Sequence, residues 1–96
     1  MTMAIATLTL ELHIPGCTTL KEKRSRLKPL LLALRREFNV AGAEMGENDN
    51  HRVAILGLVT LGNSAAFLEK SLAAIPLWVE AHRPDLQLMD HRIEIL

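Results

Sequence analysis

The sequence predicts an α+β sandwich in the order strand, helix, strand, strand, helix, strand, and three observations over its 96 residues predict it. The first and last segments alternate with the period of strands, two middle stretches repeat apolar residues at helical spacing, and a polar turn separates two further strands. Two strand–helix units joined by a hairpin, with right-handed crossovers, pack most simply as a ferredoxin-like fold. That fold is a four-stranded antiparallel sheet with both helices on one face.

Met3 to Leu12 sets Ala4, Ala6, Leu8, Leu10 and Leu12 on one face and Ile5, Thr7, Thr9 and Glu11 on the other. Pro15 and Gly16 then turn the chain. Thr19 and Glu22 have the spacing of a capping box at a helix start. In the helix that follows, Leu20, Leu27, Leu30, Leu31, Leu34 and Phe38 share one face, and Lys21, Arg24, Ser25, Lys28, Arg35 and Arg36 the opposite one. Pro29 lacks the amide an unbroken helix uses, so the sequence predicts either a kink near Ser25 or a short turn before a second helix. Asn39 to Met45 reads as a short strand, the residues around Gly46 as a hairpin turn, and Arg52 to Leu61 as a long apolar strand. A second helix follows from Asn63 or Ser64 to near His82, with Phe67, Leu68, Leu72, Ile75, Trp78 and Val79 at helical spacing and Pro76 predicting a bend or early end. Leu86 to Leu96 alternates as the last strand.

Composition narrows the class. Residues 1–96 suffice for a single domain that buries about 60 to 65% of its unfolded surface. Phe38, Phe67 and Trp78 are the only aromatics, so the expected core is aliphatic. A lone cysteine, Cys17, excludes an internal disulfide and fits a reducing cytoplasm. The apolar N-terminus lacks the basic leader of a signal peptide and is too short to span a bilayer, so no membrane partner is expected.

Net charge is zero, but residues 21 to 36 carry Lys21, Lys23, Arg24, Arg26, Lys28, Arg35 and Arg36 against Glu22 alone. Glu37, Glu44, Glu47 and Asp49 follow without a base. One basic element on a neutral chain points to an anionic partner or to self-association.

The stretch "LELHIPGCTTLKEKRSRLKPLLLALRREFNVAGAE" resembles the YlxP-like family of small bacterial proteins, a domain of unknown function that pairs an "SLKEKR" type motif with an "FNVSVAE" type motif. The matching positions are Leu20, Lys21, Glu22, Lys23 and Arg24, then Phe38, Asn39, Val40, Ala43 and Glu44. Thr19 stands where the family has serine and keeps a capping hydroxyl. Gly42 stands where it has valine, a change expected to loosen the second strand. The resemblance implies the ferredoxin-like fold and, through gene neighbourhoods, a link to translation or ribosome maturation. It implies no activity.

Several constellations compete. The bases Lys21, Lys23, Arg24, Lys28, Arg35 and Arg36 could neutralise phosphates of RNA or another anion; the plain alternative is a solvated helix back. Lys23 is the misfit, because a continuous helix turns it towards the apolar face, where an ammonium needs a partner. The central strands lack aromatics, so RNA contact is expected from the helix and not from the sheet. Val53, Ile55, Val59 and Leu61 oppose Ala54, Leu56 and Leu58, which makes both faces of the third strand apolar and the open face a candidate homo-oligomer interface. The topology gathers His13, Cys17, Lys21, Arg24, Glu44 to His51, His82 and Arg83 at one end. His13, Cys17, Glu47, Asp49 and His51 lack metal-ligand spacing, and Cys17 lacks the orienting group of a nucleophile. No metal, cofactor or catalytic residue is therefore expected. Glu44 is expected to pair with Arg52 across the hairpin. The reading that results is a non-enzymatic cytoplasmic protein that self-associates and contacts RNA or a ribosomal surface through its first helix. Its alternative is a small-molecule or anion-binding regulatory module, also a homo-oligomer, that uses the helix start and the His13 edge.

Overall fold

The computed structural model describes residues 2–96 and runs β1 (Ala4–His13), α1 (Leu20–Phe38), β2 (Ala41–Gly46), β3 (Val53–Gly62), α2 (Ala65–His82), β4 (Gln87–Ile95). All neighbouring strands are antiparallel in the order β2-β3-β1-β4, which is the predicted ferredoxin-like α+β arrangement with β2 and β4 as edges.

Alternation decides which side of the sheet each residue serves. Ala6, Leu8, Leu10 and Leu12 of β1 and Ala54, Leu56 and Leu58 of β3 are buried, and they meet Leu27, Leu30 and Leu34 of α1 and Leu68, Leu72, Ile75 and Val79 of α2. The core is aliphatic, so truncating any one of these leucines to alanine removes packing worth about 2–5 kcal/mol. Phe38 and Trp78 meet edge to face at the margin, with centroids 6.0 Å apart. Phe67 departs from the expected apolar face and is 65% exposed, because Leu68 beside it takes the inward direction.

The start of α1 is capped as the sequence predicts. Thr19 is extended and its Oγ1 accepts the Glu22 amide at 3.1 Å. The return bond differs in detail, since Glu22 Oε2 accepts the amide of Thr18 at 2.9 Å. That bond holds the Glu22 carboxyl below its ordinary value. Asn39 ends the helix in the left-handed conformation, φ 51° and ψ 53°, which asparagine tolerates better than most side chains.

The expected break at Pro29 is not found. One helix runs from Leu20 to Phe38, with Pro29 and Ser25 both exposed, so water serves the Ser25 carbonyl that proline leaves without its amide. Nor does Pro76 end α2: its ring is buried among Leu72, Ile75 and Val79, and the helix continues to His82.

Gly42 does not simply loosen β2. A Cβ at this position would run into Leu58 Cδ2 and lie 3.2 Å from Leu31 Cδ2, so the missing side chain lets α1 approach the edge strand.

Candidate nucleic-acid interface

Lys21, Arg24, Lys28, Arg35 and Arg36 are all exposed on α1. At 100° and 1.5 Å per residue the first four fall within an arc of about 60° along about 21 Å of helix. The stripe overhangs the β2 edge: Arg35 Nη2 donates to the Gly42 carbonyl at 2.6 Å, while Arg26, on the other flank, reaches Asp85 beyond α2. Among the described residues none of these five cations has a carboxylate within ion-pairing distance, since the salt bridges use Lys23, Arg26, Arg83 and Arg92. A row of unneutralised cations on one helix attracts polyanions, and exposed Leu32 borders it.

Lys23 leaves this set, which corrects the sequence reading. It is 1% exposed, and its Nζ donates to the carbonyls of Glu47 and Asn50, both at 2.7 Å. Glu44 Oε2 also lies 2.7 Å away, close enough to pair charges though poorly angled for a hydrogen bond. Lys23 thus ties α1 to the β2–β3 turn, where Glu47 takes a positive φ of 59°. It cannot touch a phosphate. Glu44 pairs with Lys23 and not with Arg52, because its cross-strand neighbour is Leu56 and its side chain is on the helix side of the sheet.

The end of the molecule around the start of α1 gathers the predicted neighbours but occupies most of them internally. Arg26 Nη1 donates to the Pro15 carbonyl at 2.7 Å, and its Nη2 donates to the Asp85 carbonyl. Arg83 grips both Asp85 carboxylate oxygens at 2.8 Å and donates to the Arg26 carbonyl at 2.9 Å. The hydrogen bonds from Arg83 hold the Asp85 carboxyl down at about 2. His13 Nδ1 lies 3.0 Å from Gln87 Oε1, and Cys17 is buried with its thiol directed at the Thr19 carbonyl. Among the described residues no three His, Cys, Asp or Glu side chains are grouped to hold a metal. No helix among them is long and apolar enough to cross a membrane.

The open face of the sheet is divided. Over β2 and β3 it carries Ala41, Ala43, Met45, Ile55, Val59 and Leu61; over β4 it carries Asp90, Arg92 and Glu94 opposite Glu11, Thr9 and Thr7. Leu61 is 63% and Val59 40% exposed, so the β3 residues expected to be buried on this side are only partly so. Met45 lies across Gly57, and between them opens a shallow depression of about 490 Å³.

Residues 5–93 match the family described as a protein of unknown function, DUF503. The chain belongs to that family. No curated protein matches the sequence. Among solved structures the DUF503 chain is similar to a de novo designed protein, Foldit4, with a TM-score of 0.53 and 13% identity over 96% of both chains. A second similarity, with a TM-score of 0.37 and 17% identity over 97% of this chain and 56% of the other, is to LarC2, the C-terminal domain of a cyclometallase involved in the synthesis of the NPN cofactor of lactate racemase. The first shows the fold alone, and the second carries no argument.

Most of the positions singled out by the sequence resemblance have structural work. Glu22 caps α1, Lys23 and Glu44 lock the hairpin, Phe38 packs on Trp78, Asn39 ends the helix and Val40 is buried. Leu20 is half-buried at the first turn, and Ala43 lines the open-face depression. Lys21 and Arg24 are the charged residues of this set left without an internal partner.

Proposed function

We propose that the chain is a non-enzymatic cytoplasmic binding protein whose α1 stripe contacts the phosphates of RNA, free or on a ribosomal surface. The observation that carries this reading is the row of Lys21, Arg24, Lys28 and Arg35, continued by Arg36, with no carboxylate among the described residues within ion-pairing distance of it. The resemblance to the YlxP-like family, with its translation-linked gene neighbourhoods, supports the same reading. Binding of this kind is weakly sequence-selective, because phosphate contacts position a nucleic acid without reading its bases. A second copy of the chain packs on the apolar half of the open face, where exposed Val59, Leu61 and Met45 lie beside a depression. The alternative, an anion-binding regulatory module at the helix start, has less support because His13, Arg26 and Arg83 already hold internal partners.

The test is affinity for total cellular RNA with Lys21, Arg24 and Lys28 all replaced by alanine. The proposal expects a large loss, together with nuclease-sensitive capture from lysate for the wild type. Unchanged affinity in the triple variant removes the stripe as the interface.

A further inference from the structure

The end of the molecule opposite the Lys23 lock holds a cleft of about 440 Å³ between the exit of α1 and the entry of α2. Two aromatic rings, Phe38 and Phe67, line it, and Glu37, Asn39, Asn63 and Ser64 supply its polar rim. Phe38 is half-buried against Trp78, whereas Phe67 is left 65% exposed on the first turn of α2. Its backbone is fixed all the same, because the Phe67 amide donates to the Ser64 hydroxyl at 3.2 Å in the helix cap. Asn39 is held by its left-handed backbone and by Thr60 Oγ1, which donates to the Asn39 carbonyl at 3.1 Å.

The side-chain amides of Asn39 and Asn63 make no hydrogen bond among the described residues, so each offers an acceptor and two donors to a ligand. An exposed aromatic face beside free amides is the chemistry that recognises a planar heterocycle with donors and acceptors on its edge, and an unstacked nucleobase is such a ligand. The cleft lies within the range of about 300–1,000 Å³ usual for small-molecule sites. Its position also suits a strand lying along α1, because Arg35 and Arg36 directly precede Glu37 and Phe38 in the helix. The Glu37 carboxylate repels a phosphate and accepts from an exocyclic amino group. It therefore keeps the sugar–phosphate backbone on the Arg36 side and favours the base in the cleft.

The geometry points to this cleft as a subsite for one unstacked base of single-stranded RNA, with Phe67 as the stacking surface and Asn39 and Asn63 reading the base edge. The inference rests on the reading that α1 binds RNA phosphates and adds a preference to it: single strands over duplexes, since a paired base cannot enter.

Two measurements test it. In the first, a mixed-sequence RNA decanucleotide and its blunt duplex are titrated into the wild type and into Phe67→Ala, whose site is exposed enough for the variant to fold as the wild type does. The wild type is expected to favour the single strand, and Phe67→Ala to lose about ten-fold in single-strand affinity with duplex affinity and salt slope unchanged. In the second, adenosine and cytidine monophosphates at millimolar concentration are followed by amide chemical shifts, expected to move at Asn39, Asn63, Ser64 and Phe67. Unchanged single-strand affinity in Phe67→Ala, or shifts confined to other regions, overturns the subsite. The phosphate reading fails separately, if alanine at Lys21, Arg24 and Lys28 leaves RNA binding intact; the monophosphate shifts then decide the cleft by themselves.

Discussion

Replacing Lys23 by methionine keeps the apolar stem and removes only the ammonium, so it isolates the lock between α1 and the β2–β3 turn. The change strands the Glu44 carboxylate and the carbonyls of Glu47 and Asn50. Breaking a buried pair by deleting one partner costs about 3–5 kcal/mol. Glu44 keeps 25% of its side-chain surface and the turn residues are exposed, so water recovers part of that cost. The expected loss is therefore about 2–3 kcal/mol. With a urea dependence of about 1 kcal/mol per molar for a small domain, the unfolding midpoint falls by about 2–3 M. Glu44→Gln leaves the ammonium on its two carbonyls and is expected to cost about 1 kcal/mol. The double variant should cost less than the two single losses combined, because the residues share one contact. A Lys23→Met loss below about 0.5 kcal/mol, the scale of an ordinary surface substitution, refutes the lock.

Pro29→Ala restores an amide in the middle of an exposed helix face and is expected to raise the unfolding free energy, measured by urea titration, by about 1–3 kcal/mol; a destabilised variant would mean that the proline serves the fold. The Asp85 carboxyl is depressed by the Arg83 hydrogen bonds from 3.8 to about 2, so its contribution to stability is present above pH 3.8 and is lost as pH falls towards 2. Thermal melts of the wild type and Asp85→Asn across this window should converge as the pH drops, and parallel curves would show that the Arg26–Asp85–Arg83 cluster contributes nothing through this charge. On the open face, Val59→Glu is expected to shift light-scattering mass from dimer to monomer without unfolding the chain. A wild type that is monomeric at high concentration removes the second copy from that surface.

The sheet was legible because β1 alternates without exception from Ala4 to Leu12, and a one-residue slip would send every leucine to the wrong face. The helix caps were legible for a similar reason, since Thr19, Glu22 and Asn39 are residue types whose side chains or backbone preferences suit helix ends. Neither proline ends its helix, because proline's local cost says nothing about surroundings that absorb it: open water at Pro29, a buried apolar face at Pro76. Lys23 showed in the sequence as a lysine turned inward, but its partners did not. Two are backbone carbonyls, which carry no residue signature, and the third, Glu44, is set by a register that is irregular between Glu44 and Gly46. Phe67 was misplaced because helical spacing alone does not say which of two adjacent apolar residues, Phe67 or Leu68, turns out. The exposed stripe was readable almost in full, apart from the removal of Lys23 and the bond from Arg35 to Gly42.

The reading that α1 binds polyanions is tested most directly by titrating single-stranded RNA into the wild-type chain over a range of salt concentrations. Four stripe cations, each releasing about 0.7 counterion from a single strand, predict a slope near −3 in log affinity against log salt. A flat response, or a slope that survives alanine at Lys21, Arg24 and Lys28, contradicts it.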